Sequence, residues 1–161
     1  MIFTNFAVMK SATNNSLLNI DTLGYYLDRA LNAMVKSLNK QFWEHNIDLQ
    51  HSQYIVLKVL WCVDGVSQSQ LSKLLGKDPA AVSRALNYLE SKGYIVRKSI
   101  NNKTNGIYLT EYADSRRAEI EHIADVVTDT ATKGMNGHQR EIIIQLLTKI
   151  YDNSECHLQN L

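Results

Sequence analysis

SQSQLSKLLGKDPAAVSRALNYLESKGYIVRKSINNK, residues 67–103, is the stretch whose reading decides the fold. Ser67 can cap a helix whose third position is Gln70, a reciprocal pair that satisfies two orphan amides at once. Leu71, Leu74 and Leu75 give that helix a short apolar face, and Gly76 suits a left-handed exit from it. Asp78 then stands where it can cap a second helix, with Pro79 at the first position, where no amide is needed. Val82, Ala85, Leu86 and Leu89 recur at helical spacing and leave Ser83, Arg84 and Asn87 on other faces. Gly93 ends the run. Two short helices across a tight glycine turn predict a helix-turn-helix, whose second helix is the one that enters a DNA groove. After it, Tyr94–Ser99 and Ile107–Thr110 read as strands joined by a polar loop ending in Asn105-Gly106, a strong turn signal. Val66-Ser67 supplies a small third strand. Helix, helix and hairpin make a winged helix-turn-helix.

Outward from this head, both flanks read as helix. Leu23, Leu27, Ala30, Leu31, Met34, Leu38 and Phe42 follow three-and-four spacing from Asp21 or Thr22 to about Glu44, a span of about 34 Å. Ser52–Val63 reads as the next helix, with Tyr54, Val56, Leu57, Leu60 and Trp61 apolar, and Asp64-Gly65 closes it. Beyond the hairpin, Thr110 can cap a long helix to about Ala131, striped by Ile120, Ile123, Ala124 and Val127. Gly134 breaks it. Asn136, with Gln139 three residues on, opens a last helix with a broad apolar face. The expected fold is mainly α with a small β-hairpin: a winged helix-turn-helix over 49–110 flanked by long helices at 20–45 and 111–161. Residues 17–161 form one domain behind a flexible segment, 1–16. Met1 to Val8 shows no pattern, and Met9 offers a second start.

Long striped helices on a small head would leave apolar surface in water, which proteins avoid. Pairing with a second copy buries it, through Leu23, Leu27, Ile142, Leu146, Leu147, Ile150 and Tyr151. A two-fold dimer also sets two reading helices about 34 Å apart, one turn of DNA.

Charge agrees with this reading. The 161 residues carry a formal net charge of only +1. Between Val66 and Lys103, however, seven bases (Lys73, Lys77, Arg84, Lys92, Arg97, Lys98, Lys103) face two acids, Asp78 and Glu90. The reading segment is thus basic within a chain otherwise acidic, as contact with phosphates requires. Two cysteines make no disulfide framework, and no run approaches the roughly 18 apolar residues of a membrane span. The expected compartment is the cytoplasm. No phosphate-binding glycine loop and no nucleophile-base pairing marks an enzyme. His45, His51, His122, His138 and His157 lack zinc-site spacing, so no metal and no cofactor is expected.

Leu71-Ser72, Leu74-Leu75, DPAAVSRALNYLESKGYIVRK at 78–98 and Leu109-Thr110, in this order, resemble the MarR family of dimeric regulators over about Leu17 to Leu158. The family commonly carries Asp-Arg-Arg in the wing, where Asn101, Asn102 and Lys103 stand here. A frequent threonine is replaced by Ala81, and a glycine common after Leu-Thr is absent at Ala113-Asp114. The resemblance implies a ligand-responsive repressor, a homodimer on a pseudo-palindromic double-stranded operator. Arg84 is then the candidate to read guanine O6 and N7. Ser83 and Asn87 reach bases or phosphates, and Pro79, Ala80 and Ala81 open the helix, the alanines against thymine methyls. Ser67, Gln68 and the amides opening either helix hold phosphates, with Lys73, Lys77 and Lys98 adding charge and Asn101, Asn102 and Lys103 forming the wing tip. It also implies a small aromatic or phenolic effector between the dimerising helices and the head, where Tyr25, Tyr26, Phe42, Trp43, Tyr54 and Trp61 are the lining candidates. Two alternatives stand beside this reading. One is a winged-helix module for protein association without DNA. The other is an oxidant sensor acting through Cys156 or Cys62, the latter expected as a buried thiol within an apolar helix.

Overall fold

A computed structural model describes residues 22–101 and 104–159. The order is α1 (Leu23–Glu44), α2 (His51–Leu60), β1 (Val66–Ser67), α3 (Gln68–Leu75), α4 (Pro79–Ser91), β2 (Ile95–Asn101), β3 (Thr104–Leu109), α5 (Glu111–Ala131) and α6 (Gly137–Gln159). Mainly helical with a small sheet, it is the winged helix-turn-helix with long flanking helices that the sequence predicts. The segment 1–16 lies outside the described residues.

Local chemistry sets the boundaries of the head. Ser67 Oγ accepts from the Gln70 amide at 3.3 Å, while Gln70 Oε1 accepts from the Ser67 amide at 2.8 Å. Gly76 turns left-handed at φ +57°, and the Lys77 amide reaches back to the Ser72 carbonyl at 3.0 Å. Such a closure satisfies carbonyls that the helix end would otherwise strand. Asp78 caps α4, and Thr110 caps α5 while donating its hydroxyl to the Gly93 carbonyl at 2.6 Å. Asn136 and Gln139 cap α6 reciprocally, each bond at 2.9 Å.

The sheet runs β1-β3-β2, all antiparallel, with β3 at its centre. This corrects the reading of Asn105-Gly106 as a turn. Asn105 pairs with Ser99, and Gly106 pairs with Lys98 on one side and Ser67 on the other. A central strand needs its backbone on both edges, and that demand outweighs the local turn preference of the dipeptide. The pairing extends to Asn101 opposite Thr104, with an irregularity between Ser99 and Asn101.

The core gathers Phe42, Leu57, Leu60, Leu71, Leu86, Leu89, Ile95, Ile107 and Ile120, all but sealed from water. Burial of each contributes about 1.5–3 kcal/mol. Two expectations change here. Helix α2 ends at Leu60 rather than Val63, so Cys62 follows the helix and is exposed, not buried. Of the α1 stripe only Leu38 and Phe42 are buried, while Leu23, Leu31 and Met34 stand exposed. No described helix is long and apolar enough to cross a membrane.

Candidate nucleic-acid interface

Helix α4 has two unlike faces. Val82, Ala85, Leu86 and Leu89 are buried. At 100° per residue, Ala80, Arg84, Asn87 and Ser91 fall on the opposite side, and all four are exposed. Ala81 and Ser83 flank that face, half-buried. Of the residues proposed to contact bases, Ala80, Arg84 and Asn87 therefore lie along one outward line, backed by a packed face that fixes the helix, with Ala81 and Ser83 beside it.

The first turn of α4 departs from the sequence reading. Asp78 Oδ1 accepts from the amides of Ala80 at 2.9 Å and Ala81 at 3.1 Å, Pro79 has none, and the Val82 amide bonds the Asp78 carbonyl. No amide of that turn is left for a phosphate, so the expectation that the amides opening either helix hold phosphates fails for α4. At α3 the Gln70 amide goes to Ser67, and Gln68 sends its Nε2 to the Pro79 carbonyl at 3.4 Å, tying the starts of the two helices together.

Charge is also redistributed by contacts. Arg97, on β2, pairs with Glu90 through one nitrogen and donates its other to Asn87 Oδ1 at 2.8 Å. Lys92 pairs with Asp48 and lies 5.5 Å over the Tyr88 ring, whose hydroxyl donates to the Asp48 carbonyl at 3.0 Å. Lys92, then Tyr88, hold the Asp48 carboxyl below its ordinary value. Burial, then Asp48, pushes Tyr88 up to about 12. Of the bases counted in the sequence, two thus serve the head itself. Among the described residues Lys73, Lys77, Arg84 and Lys98 enter no ion pair, although Lys98 lies 5.3 Å over the Tyr108 ring. Lys73 and Lys77 line a groove of about 870 Å³ with Gln68, Ser69, Gly76 and, from α6, Glu155. Asn101 ends β2, while Asn102 and Lys103 lie outside the described residues.

The aromatic residues named for an effector have varied places. Phe42 is wholly enclosed and meets Tyr54 edge-on at 5.8 Å, so it belongs to the core. Trp61 lies beneath the Arg117 guanidinium at 5.4 Å, and Trp43 is 78% exposed beside the α1–α2 connection. Tyr25 and Tyr26 meet edge-on in the first turns of α1. Of the residues expected at a dimer interface, Leu23, Ile142, Leu146, Leu147 and Tyr151 are exposed, with Leu27 and Ile150 half-buried.

Sequence reasoning missed the Arg97 tether and the Asp48 latch. Asn87 and Glu90 stand three apart on one helix face, which a strand returning after Gly93 could meet, but only the strand's path fixes which base arrives.

A sequence model for the MarR family matches residues 47–102. An HTH-type transcriptional regulator of Bacillus anthracis is 31% identical over 126 residues, 77% of this chain and 81% of its own. Among solved structures, Bordetella bronchiseptica BpsR, whose DNA binding is regulated by 6-hydroxynicotinic acid, superposes with a TM-score of 0.71 at 22% identity over 81% of this chain and 94% of its own. A mutant Escherichia coli MarR complexed with operator DNA gives 0.70 at 21% identity over 80% and 92%. Likeness at that identity speaks for the fold.

Proposed function

The chain belongs to the MarR family of DNA-binding transcriptional regulators, and from that premise we propose that it acts as a homodimeric, ligand-responsive repressor on a pseudo-palindromic operator. The observation that carries the reading is the outward line of α4, where Ala80, Arg84 and Asn87 stand exposed over a sealed apolar face. A helix so mounted offers side chains to a major groove without losing its own packing. Arg84 is the direct reader, because its fork matches guanine O6 and N7. Lys73, Lys77, Lys98 and Lys103 neutralise phosphates, with the wing residues Asn101 and Asn102 and with Ser67, Gln68, Pro79, Ala81 and Ser83 at the margins of the contact.

The dimer is supported by the apolar side chains that α6 leaves in water, and two copies would carry two reading helices to successive grooves. An effector is supported by kinship of fold with BpsR; a small aromatic acid is the class we assign. The cytoplasm is the compartment that operator binding demands.

Selection from a random duplex library, followed by titration at several salt concentrations, tests the reading. A palindromic consensus and a steep salt slope are expected. Arg84→Ala should cost about 1–3 kcal/mol and relax one base pair per half-site. Weak binding without sequence preference or salt dependence would return the chain to a protein-association role.

A further inference from the structure

Arg84 and Asn87 share the outward line of α4, but only Asn87 is gripped from outside the helix. Its Oδ1 accepts from Arg97 at 2.8 Å, and the same guanidinium pairs with Glu90, one turn further along α4. A guanidinium only donates, so the carboxamide must turn its oxygen toward β2, and its Nδ2 becomes the outward end. Glu90 holds one arm of a planar group, and the other arm then has one direction in which to point.

We propose that Arg97 is a positioning residue that makes Asn87 a donor to the operator, matched to a base oxygen (guanine O6 or thymine O4) and deprived of the paired contact that favours adenine. This rests on the reading of α4 as the groove-entering helix. Adenine is read by an asparagine that offers Nδ2 to N7 and Oδ1 to the N6 amino group together. Here Oδ1 is drawn back to a cation, and a second donor converging on it would meet the positive guanidinium. What remains exposed is an N–H; the N7 shared by adenine and guanine accepts it alike, so only the oxygens, guanine O6 or thymine O4, give it a preference. Specificity at this position is then set by a residue that touches no base.

The test is sequence selection with the full-length protein and three variants, each checked by thermal melting. Asn87→Ala identifies the base pair concerned, as the one whose preference disappears. At that pair the unaltered protein should select guanine or thymine on the contacted strand. Asn87→Asp keeps an acceptor for Arg97 but removes the donor, so it should fold as well and lose about two- to tenfold in operator affinity, with the preference at that pair lost or moved to cytosine. Arg97→Leu releases the amide and should admit adenine there. Should Arg97→Leu fail to fold, the base selected by the unaltered protein decides, together with the loss of that preference in Asn87→Asp. Adenine selected by the unaltered protein, an unchanged preference in Asn87→Asp, or no position responding to Asn87→Ala would each overturn the inference. Failure of the unaltered protein to select any sequence would instead remove the operator reading itself.

Discussion

The ring of Tyr151, on α6, lies against the bare Cα of Gly76 in the turn between α3 and α4. A methyl group built on Gly76 would stand 3.1 Å from Tyr151 Cε2 and 3.2 Å from its hydroxyl oxygen. That approach brings the last helix of the chain onto the pivot of the helix-turn-helix, and Glu155 one turn later joins Lys73 and Lys77 around the adjoining groove. The smallest residue in the head thus meets two requirements together: a left-handed backbone, and room for a ring from a distant helix.

Gly76→Ala should separate these requirements. An L-residue in the left-handed region costs about 1–2 kcal/mol, and the contact with Tyr151 adds to it. Urea denaturation of Gly76→Ala, Tyr151→Ala and the double variant closes a cycle. We expect the glycine substitution to cost more in the presence of Tyr151 than in its absence, with about 1–2 kcal/mol persisting in both. Equal costs in the two backgrounds would mean that the ring yields freely.

The cap of α4 is equally open to measurement. Asp78→Ala removes the acceptor for two amides and should destabilise the protein by about 1 kcal/mol, and Asp78→Asn should recover most of it. The same change frees the Ala80 and Ala81 amides and removes a negative charge at the helix start. Non-specific DNA affinity should therefore rise even as stability falls, read by fluorescence anisotropy against a random duplex.

How much of this was legible in sequence divides along the range of the interactions. Ser67 with Gln70, Gly76, and Asp78 with Pro79 act within four residues, and each works where the sequence puts it. Asn105-Gly106 carried a true local preference, but β3 lies between two partners and its pairing takes both residues into the strand. Arg97 counted only as charge, because its grip on Asn87 depends on where β2 returns beside α4. Periodicity marked Leu23, Leu31 and Met34 with Leu38 and Phe42 as one stripe. It could not say that this chain covers only the last two. The outward line of α4 was legible as a pattern; which of its amides and side chains are already engaged was not.

His51 supplies a pH dependence. Half-buried, its amide donating to Asn39 Oδ1 at 2.7 Å, it has its imidazole held below the ordinary 6.5, first by burial and then by the charge of Lys77. The folded chain therefore takes up this proton less readily than the unfolded one. Stability from this group is complete above pH 6.5 and is lost as pH falls from there through the lower folded value. His51→Gln keeps the backbone bond and removes the titration. Denaturation at pH 7.5 and pH 5.5 should show the gap between the two proteins shifting in favour of the variant at the lower pH; a constant gap would mean that His51 protonates alike in both states.

Helix α6 offers the sharpest test of assembly. Leu146 is 56% exposed and Leu147 44%, alongside Ile142, Ile143 and Ile144. In an isolated chain, replacing such a leucine by glutamate changes stability by no more than about 0.5 kcal/mol. Across a dimer interface the same replacement buries an unpaired charge, which costs several kcal/mol. The two cases thus differ by far more than experimental error. Sedimentation of the unaltered protein and of Leu146→Glu with Leu147→Glu should give a dimer and a folded monomer, and operator affinity should fall with the dimer, since one reading helix grips only half a palindrome. An unaltered protein that sediments as a monomer, or a doubly substituted one that remains dimeric, would take α6 out of the interface.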